Sequence, residues 1–406
     1  MRRRDLILGA VALAAANAAF GQAADEDLAA LTQSQFDDWV GDMRARALGE
    51  GVTAATWEEA LRGLAPDPVV IARRAAAAEI NQTLTEYVQR LLNGRGKRAR
   101  AKFLAMPQLS EIDLRQGVPG GPLVAFWGME SDYGANIGDR DVLRATATHG
   151  AASSGGPDWG AEFVAALKIL QSKVVPRSRL IGSYAGALGQ TQLMPTNYLK
   201  YGVDFDGDGR IDVWGDPLDA LASTAQHLTK AAGWRRGENW LEEVTLPDSI
   251  DWKSVEPEVT AKSPEAWAAI GVRRAAAEPW GALDRMSTAV LMLPAGIAAP
   301  AFLAFPNYSA FEAYNPSLSY AVGVSLLAEM AEGRIPYRHA WPAEEPLTKE
   351  QRMAAQAGLA RLGHYAGKID GDMGKRSRKA LRDWQLSTGR PRDGHLTLDE
   401  VKALIA

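Results

Sequence analysis

Three stretches of this 406-residue chain put polar groups where they could do chemistry. In Phe126-Trp127-Gly128-Met129-Glu130-Ser131-Asp132-Tyr133-Gly134, a carboxylate stands at the end of an apolar run that reads as a helix buried on every side. Desolvation disfavours the charged form of such a group and raises its pKa. A raised carboxyl pKa suits a general acid that protonates a leaving-group oxygen near neutral pH. Asp132 is the rival carboxylate, on another helix face and closer to the Gly134 stop. Read locally, Glu130 is either that acid or a structural buried carboxylate.

The second stretch runs from Ile181 to Pro195, and its three glycines among small alanines let backbone come close to a ligand. Gln192 offers amide donors and an acceptor, which suits a sugar N-acetyl group, although a tight turn before a helix explains the same residues. No Gly-Lys-Ser/Thr follows, so a phosphate loop is disfavoured. The third stretch, Tyr314-Asn315-Pro316-Ser317-Leu318-Ser319-Tyr320-Ala321, opens a helix, where polar groups also serve as caps. A fourth pattern, Asp204-Phe205-Asp206-Gly207-Asp208-Gly209-Arg210-Ile211-Asp212, alternates oxygen ligands as an EF-hand loop does. Its metal set is Asp204, Asp206, Asp208, Arg210 and Asp212. Gly215 stands where the bidentate carboxylate belongs and Asp216 comes one residue late, so the stretch is a weak calcium loop or an Asx-rich turn.

The elements that must position these residues read as mainly α. Helical patterns fill 31–115, with Phe36, Trp39, Val40, Met43 and Ala47 on one stripe, and recur over Val69–Leu92, Ala161–Leu170, Ala220–Ala232 and from Tyr314 to Met330. Short apolar runs at Val244–Pro247, Ala289–Leu293 and Ala301–Phe305 predict strands of a small inserted sheet. Ile335 to Pro346 reads as a linker, and three helices follow it, Lys349–Leu362, Lys375–Thr388 and Thr397–Ala406.

Composition bounds the function. Zero Cys excludes disulfides and thiolate chemistry, and five His make a His-rich metal centre unattractive. The net charge of −4 gives no reason to expect nucleic acid. Met1-Arg2-Arg3-Arg4 with the apolar run Leu6–Phe20 and Ala23-Ala24 reads as a secretory signal, loosely of twin-arginine type, with an exit that lacks the Cys of a lipid anchor. Without residues 1–23 the net charge is −6, of which the last 60 residues contribute +5 and the remainder −11.

In this order the first three stretches resemble the bacterial lytic murein transglycosylases, specifically the membrane-bound lytic transglycosylase B family, over roughly residues 30–335. Glu130-Ser131 with Gly134 matches the motif E-S/T-x-x-G. Gly186-Ala187-Leu188-Gly189 with Gln192, Met194 and Pro195 matches G-A-M-G-x-x-Q-F-M-P, with Leu188 for Met and Leu193 for Phe. Tyr314-Asn315 and Tyr320-Ala321 match Y-N-x-S-x-x-Y-A. The resemblance implies a lysozyme-like helical core and cleavage of the β-1,4 bond between N-acetylmuramic acid and N-acetylglucosamine. It also implies a 1,6-anhydro product, with Glu130 as the single acid and base and no cofactor in the chemistry. It implies that Ser183, Gln192, Asn315 and Tyr320 position the N-acetyl groups and the acid, and it favours calcium in the acidic loop. One carboxylate suits intramolecular attack by the sugar's own O6, since two-carboxylate glycosidases set theirs about 5–9.5 Å apart.

The tail resembles the three-helix peptidoglycan-binding domain of wall enzymes. Leu359-Ala360-Arg361-Leu362-Gly363-His364-Tyr365, Ile369-Asp370-Gly371-Asp372-Met373-Gly374 and Ala380-Leu381-Arg382-Asp383-Trp384-Gln385 carry the likeness. The expected organisation is therefore a signal at 1–23, a catalytic domain at 24–335, a linker at 336–346 and a wall-binding module at 347–406. The expected partner is the peptidoglycan glycan strand, and the expected place is the periplasm. A hydrolytic muramidase and a non-catalytic wall-binding protein are the alternatives.

Overall fold

The computed structural model describes residues 31–76, 82–153, 157–276 and 278–406, so the signal assigned to residues 1–23 lies outside the described residues. Two compact units divide the chain. The first holds the described residues up to Glu79 together with Ala101–Ala232, and the second holds those of Ile80–Arg100 together with Gly233–Ala406. The fold is mainly helical with small antiparallel sheets, as the periodicity predicts.

In the first unit, the helix Gln33–Gly49 starts at a capping box formed by Thr32 and Gln35 and buries Phe36, Val40, Met43 and Ala47. That stripe meets the helices Ala54–Leu61 and Trp159–Ser172 in one core, where Phe163 stands edge-on to both Trp39 and Trp57. Within this unit lies the helix Gly120–Ser131, buried along its length except at Glu130, which is half-buried. Burial outweighs propensity here. Gly128 costs about 1 kcal/mol relative to Ala in a helix, but a Cβ at that position would lie 2.6 Å from the ring of Tyr133. The strands β1 (Arg140–Asp141) and β2 (Ile181–Gly182) pair antiparallel, and the bridges Gly182–Leu188 and Leu188–Leu193 fold the glycine-rich loop back on them.

In the second unit, β3 (Leu241–Thr245), β4 (Ala261–Lys262), β5 (Arg273–Arg274), β6 (Ala289–Met292) and β7 (Ala301–Ala304) form an antiparallel sheet in the order β4-β6-β7-β3-β5. Its central register sets Val244 opposite Ala301 and Met292 opposite Phe302, over a core that includes Leu291, Leu303, Phe305 and Trp267.

The helix expected from Tyr314 to about Met330 runs from Leu318 to Glu332, and Tyr314 instead ends a separate short helix, Tyr308–Tyr314. Asn315 between them is extended, with φ −151° and ψ 120°. The cause is Pro316, whose ring disfavours helical backbone in the residue before it.

The segment expected as a linker is fastened to the sheet. Glu243 on β3 accepts the backbone N–H of Arg338 at 2.6 Å and of His339 at 2.9 Å, and Trp341 is buried beside Phe302. The three C-terminal helices, Lys349–Arg361, Lys375–Ser387 and Leu398–Ile405, enclose Leu359, Leu381, Trp384 and Leu404. Two buried glutamines pin their loops. Gln356 accepts from the backbone N–H of Asp370 and Gly371, and Gln385 accepts from that of Gly394.

Candidate active site

The last turn of an α-helix has carbonyls with no intrahelical partner and tends to fray. Glu130 sits in such a turn, and the chain around it is clamped. The buried Ser131 hydroxyl donates to the Gln190 carbonyl at 2.6 Å and accepts the N–H of Gly134 at 2.9 Å. The Ser131 carbonyl accepts from Asn136 N–H at 2.8 Å, and that of Trp127 accepts from both Asp132 and Tyr133. Asp132 and Tyr133 are both left-handed, with φ of 53° and 61°. Such non-glycine geometry costs of order 1 kcal/mol or more per residue and persists where its surroundings over-determine it, which is frequent at functional sites. Asp132, the rival carboxylate, is thus the residue that turns the chain off the helix.

The glycine-rich loop faces the same problem of close approach. Gly189 adopts φ +67°, and a Cβ there would stand 2.4 Å from the Val213 carbonyl. Ser183 is buried and closes the turn, its hydroxyl accepting Ala187 N–H at 3.2 Å. Gln192, left-handed at φ 55°, donates through Nε2 to the carbonyls of Ile137 at 3.1 Å and Gly189 at 2.8 Å. Both bonds use the amide nitrogen, so Oε1 is the end of this side chain left to accept from a ligand. Glu162, a half-buried carboxylate without an assigned role in the sequence, holds the start of the helix Pro195–Tyr201. It accepts the backbone N–H of Thr196 at 3.0 Å and its hydroxyl at 2.7 Å. Burial pushes its pKa up, and the Thr196 bonds oppose that rise.

Glu130, Ser183 and Gln192 all belong to the first unit. Asn315 and Tyr320 belong to the second, and both are buried. Asn315 accepts the N–H of Ser317 at 3.0 Å, which starts the helix Leu318–Glu332.

In the acidic loop, carboxylate oxygens of Asp204, Asp206 and Asp219 lie within 4.8 Å of one another. Asp219 lies beyond the twelve-residue window of an EF-hand loop, so the loop pattern does not point to it. It lies in the first turn of the helix Pro217–Lys230, is buried, and accepts the N–H of Phe205 and of Asp212, each at 2.8 Å. Asp216 caps that helix instead, accepting Leu218 N–H at 2.7 Å. Asp208 and Asp212 accept from their own loop, Asp208 from Arg210 N–H and Asp212 from Trp214 and Gly215 N–H. Burial raises the pKa of Asp219 first, and the neighbouring charges of Asp216 and Asp206 add to it. A buried carboxylate among like charges, lined by hard oxygen donors, fits a divalent cation of the calcium type.

Residues 35–329 match the Transglycosylase SLT domain family, and residues 348–404 match a peptidoglycan binding domain family. The Pseudomonas aeruginosa SltB3 crystal structure in complex with NAG-anhNAM-pentapeptide is 40% identical with a TM-score of 0.83, covering 91% of this chain and 99% of that one. Escherichia coli membrane-bound lytic murein transglycosylase B is 37% identical over 123 residues, which are 30% of this chain and 34% of that protein's length. The Escherichia coli lytic transglycosylase Slt35, solved in complex with calcium, shares the fold at 24% identity and a TM-score of 0.58, over 78% of this chain and 96% of that one.

Proposed function

This chain belongs to the transglycosylase SLT family of peptidoglycan lytic transglycosylases and carries a C-terminal peptidoglycan binding domain, and we propose that it cleaves the MurNAc–GlcNAc β-1,4 bond with Glu130 as its single acid and base. The observation that carries this reading is the position of Glu130, a half-buried carboxylate closing a buried helix whose last turn is clamped by Ser131. The reaction balances without water. Glu130 gives its proton to the glycosidic oxygen as the C1–O bond breaks. The O6 hydroxyl of the same muramoyl residue then forms the new bond to C1 and returns its proton to Glu130. The product is a 1,6-anhydro end, and an anhydro ligand in the SltB3 structure supports that product class. Gln192 Oε1 would accept an N-acetyl N–H, with Ser183, Asn315 and Tyr320 as the other positioning groups carried by the resemblance.

Glu130→Gln keeps the shape and removes the proton donor. It is expected to abolish release of anhydro-muropeptides from purified sacculi while the melting temperature holds. Wild-type turnover by this variant would sink the assignment.

Asp204, Asp206 and Asp219 would hold a calcium ion in a structural role, relieving the buried negative charge. Calcium is expected to raise the melting temperature of the wild type and to leave Asp219→Asn unmoved. Equal shifts in both proteins would count against this site. The family, together with the basic tail of 12 Lys+Arg against 7 Asp+Glu over 347–406, supports action on the anionic cell wall outside the cytoplasm. No helix among the described residues is long and apolar enough to cross a membrane.

A further inference from the structure

Gln190 has none of the chemistry that draws attention in a sequence, yet it makes four hydrogen bonds, two to the helix and two to the loop beyond it. Its carbonyl accepts from the Ser131 hydroxyl at 2.6 Å, and its side-chain Oε1 accepts from the Trp127 indole N–H at 2.8 Å. Its backbone N–H donates to the Val213 carbonyl at 2.9 Å, and its Nε2 reaches the Trp214 carbonyl at 3.4 Å. Trp127 and Ser131 are four residues apart, so they share one helix face and Gln190 grips that face twice. Glu130 lies between them in sequence, three residues after Trp127 and one before Ser131. The grip falls on the turn that has no further helix to hold it.

The far side of Gln190 is equally tied. Val213 and Trp214 leave the acidic loop, where the Asp212 carboxylate accepts the N–H of Trp214 at 3.1 Å and of Gly215 at 2.8 Å, and Asp212 N–H binds Asp219. The glycine of the E-S-x-x-G motif is also accounted for. Gly134 has φ +80°, and a Cβ there would lie 2.5 Å from Gln190 Oε1, so only glycine lets the amide reach Trp127.

We propose that Gln190 is a positioning residue, a strut that fastens the Glu130-bearing end of the helix to the exit of the acidic loop and so fixes the pose of the catalytic carboxyl. This rests on the assignment of Glu130 as the acid and base. A displacement of about 1 Å at a reacting group can cost on the order of a hundredfold in rate, and the strut acts at the position where fraying would produce it.

The test uses the full chain and purified sacculi, with Gln190→Met, which keeps length and loses both polar functions, and Trp127→Phe, which keeps an aromatic ring and loses the N–H. Each is expected to lower kcat roughly ten- to hundredfold with KM within about twofold, the pattern of a group that acts only through transition-state geometry. The double variant is expected to be no slower than the worse single, because both changes remove the same Trp127–Gln190 bond. In Gln190→Met the indole N–H resonance of Trp127, assigned by its absence in Trp127→Phe, is expected to move upfield. Should Gln190→Met not fold, Trp127→Phe alone decides the matter through its kcat. Wild-type kcat in folded Trp127→Phe, or strictly multiplicative losses in the double variant, would overturn the strut. Glu130→Gln run in parallel separates the two claims. An active Glu130→Gln removes the premise, whereas an inactive one beside fully active Trp127→Phe and Gln190→Met removes the strut alone.

Discussion

The end of the helix Gly120–Ser131 and the C-terminal three-helix module are both held by residues distant in sequence, through different chemistry. The helix end is gripped by neutral donors and acceptors, with Ser131, Trp127 and Gln190 bonded to one another or to main-chain carbonyls. The module meets the sheet region of its own unit through charge. Arg378 and Arg382 converge on Glu258 at 3.0 and 3.3 Å, and Arg392 lies 2.8 Å from Glu256 and 2.9 Å from Asp383. Neutral hydrogen bonds are directional and contribute about 1 kcal/mol each, so they fix a geometry more than they fix an assembly. Buried ion pairs add little net stability over apolar packing, but losing one partner is expensive, because the other charge stays buried. A reacting carboxyl needs the first kind of support, and a module that must keep its seat is served by the second.

That contrast can be broken most directly at Glu258. Removing it strands two guanidinium groups, and the Arg382 side chain is only 3% exposed. Glu258→Gln is expected to cost about 3–5 kcal/mol in denaturant unfolding. Glu256→Gln should cost clearly less, since Arg392 retains Asp383. Equal losses from the two would mean that pairing is not what seats the module. By contrast, the Gln190 and Trp127 variants are expected to show in kcat far more than in unfolding.

A smaller effect is expected at Glu329 in the second unit, where charge and burial compete. Burial pushes its pKa up from 4.5 to about 7, outweighing Arg334, whose Nη2 lies 2.8 Å away. A raised carboxyl pKa contributes stability that is fully present below the unfolded value and is lost as pH rises through the folded one. The loss therefore spans about pH 4.5 to 7. Glu329→Gln is expected to flatten that part of the melting-temperature profile, with a change on the order of 1 kcal/mol because the Arg334 pairing goes as well. An unchanged slope would show that Arg334 keeps the group ionised throughout.

The contrast also explains what could be read from the residues alone. Leu123–Met129 is apolar on every face, and hydrophobicity all round a helix has one outcome, so the burial of the Glu130 helix was legible. The apolar runs at 289–293 and 301–305 became β6 and β7 for a similar reason, whereas the run at 244–247 overlaps only the end of β3, which begins at Leu241. The two-residue strands Ala261–Lys262 and Arg273–Arg274 have no pattern to detect. The break at Asn315 had a readable cause in Pro316, overridden by the helical pattern that follows it.

Gln190 and Asp219 were not legible, because their roles come from tertiary placement. A neutral glutamine in a loop and an acid in the first turn of a helix each have an ordinary local use. Glu256, Glu258, Arg378 and Arg382 likewise read as solvated charges until the fold brings them together.

The proposed single-carboxylate chemistry at Glu130 makes one demand that neither a muramidase nor a silent binding protein meets. Digestion of purified sacculi in water enriched in oxygen-18, followed by mass spectrometry of the released muropeptides, reads that demand directly. The expected products are one water lighter than hydrolytic fragments and carry no label. Labelled muramoyl ends at full mass would show that water, not O6, attacks C1.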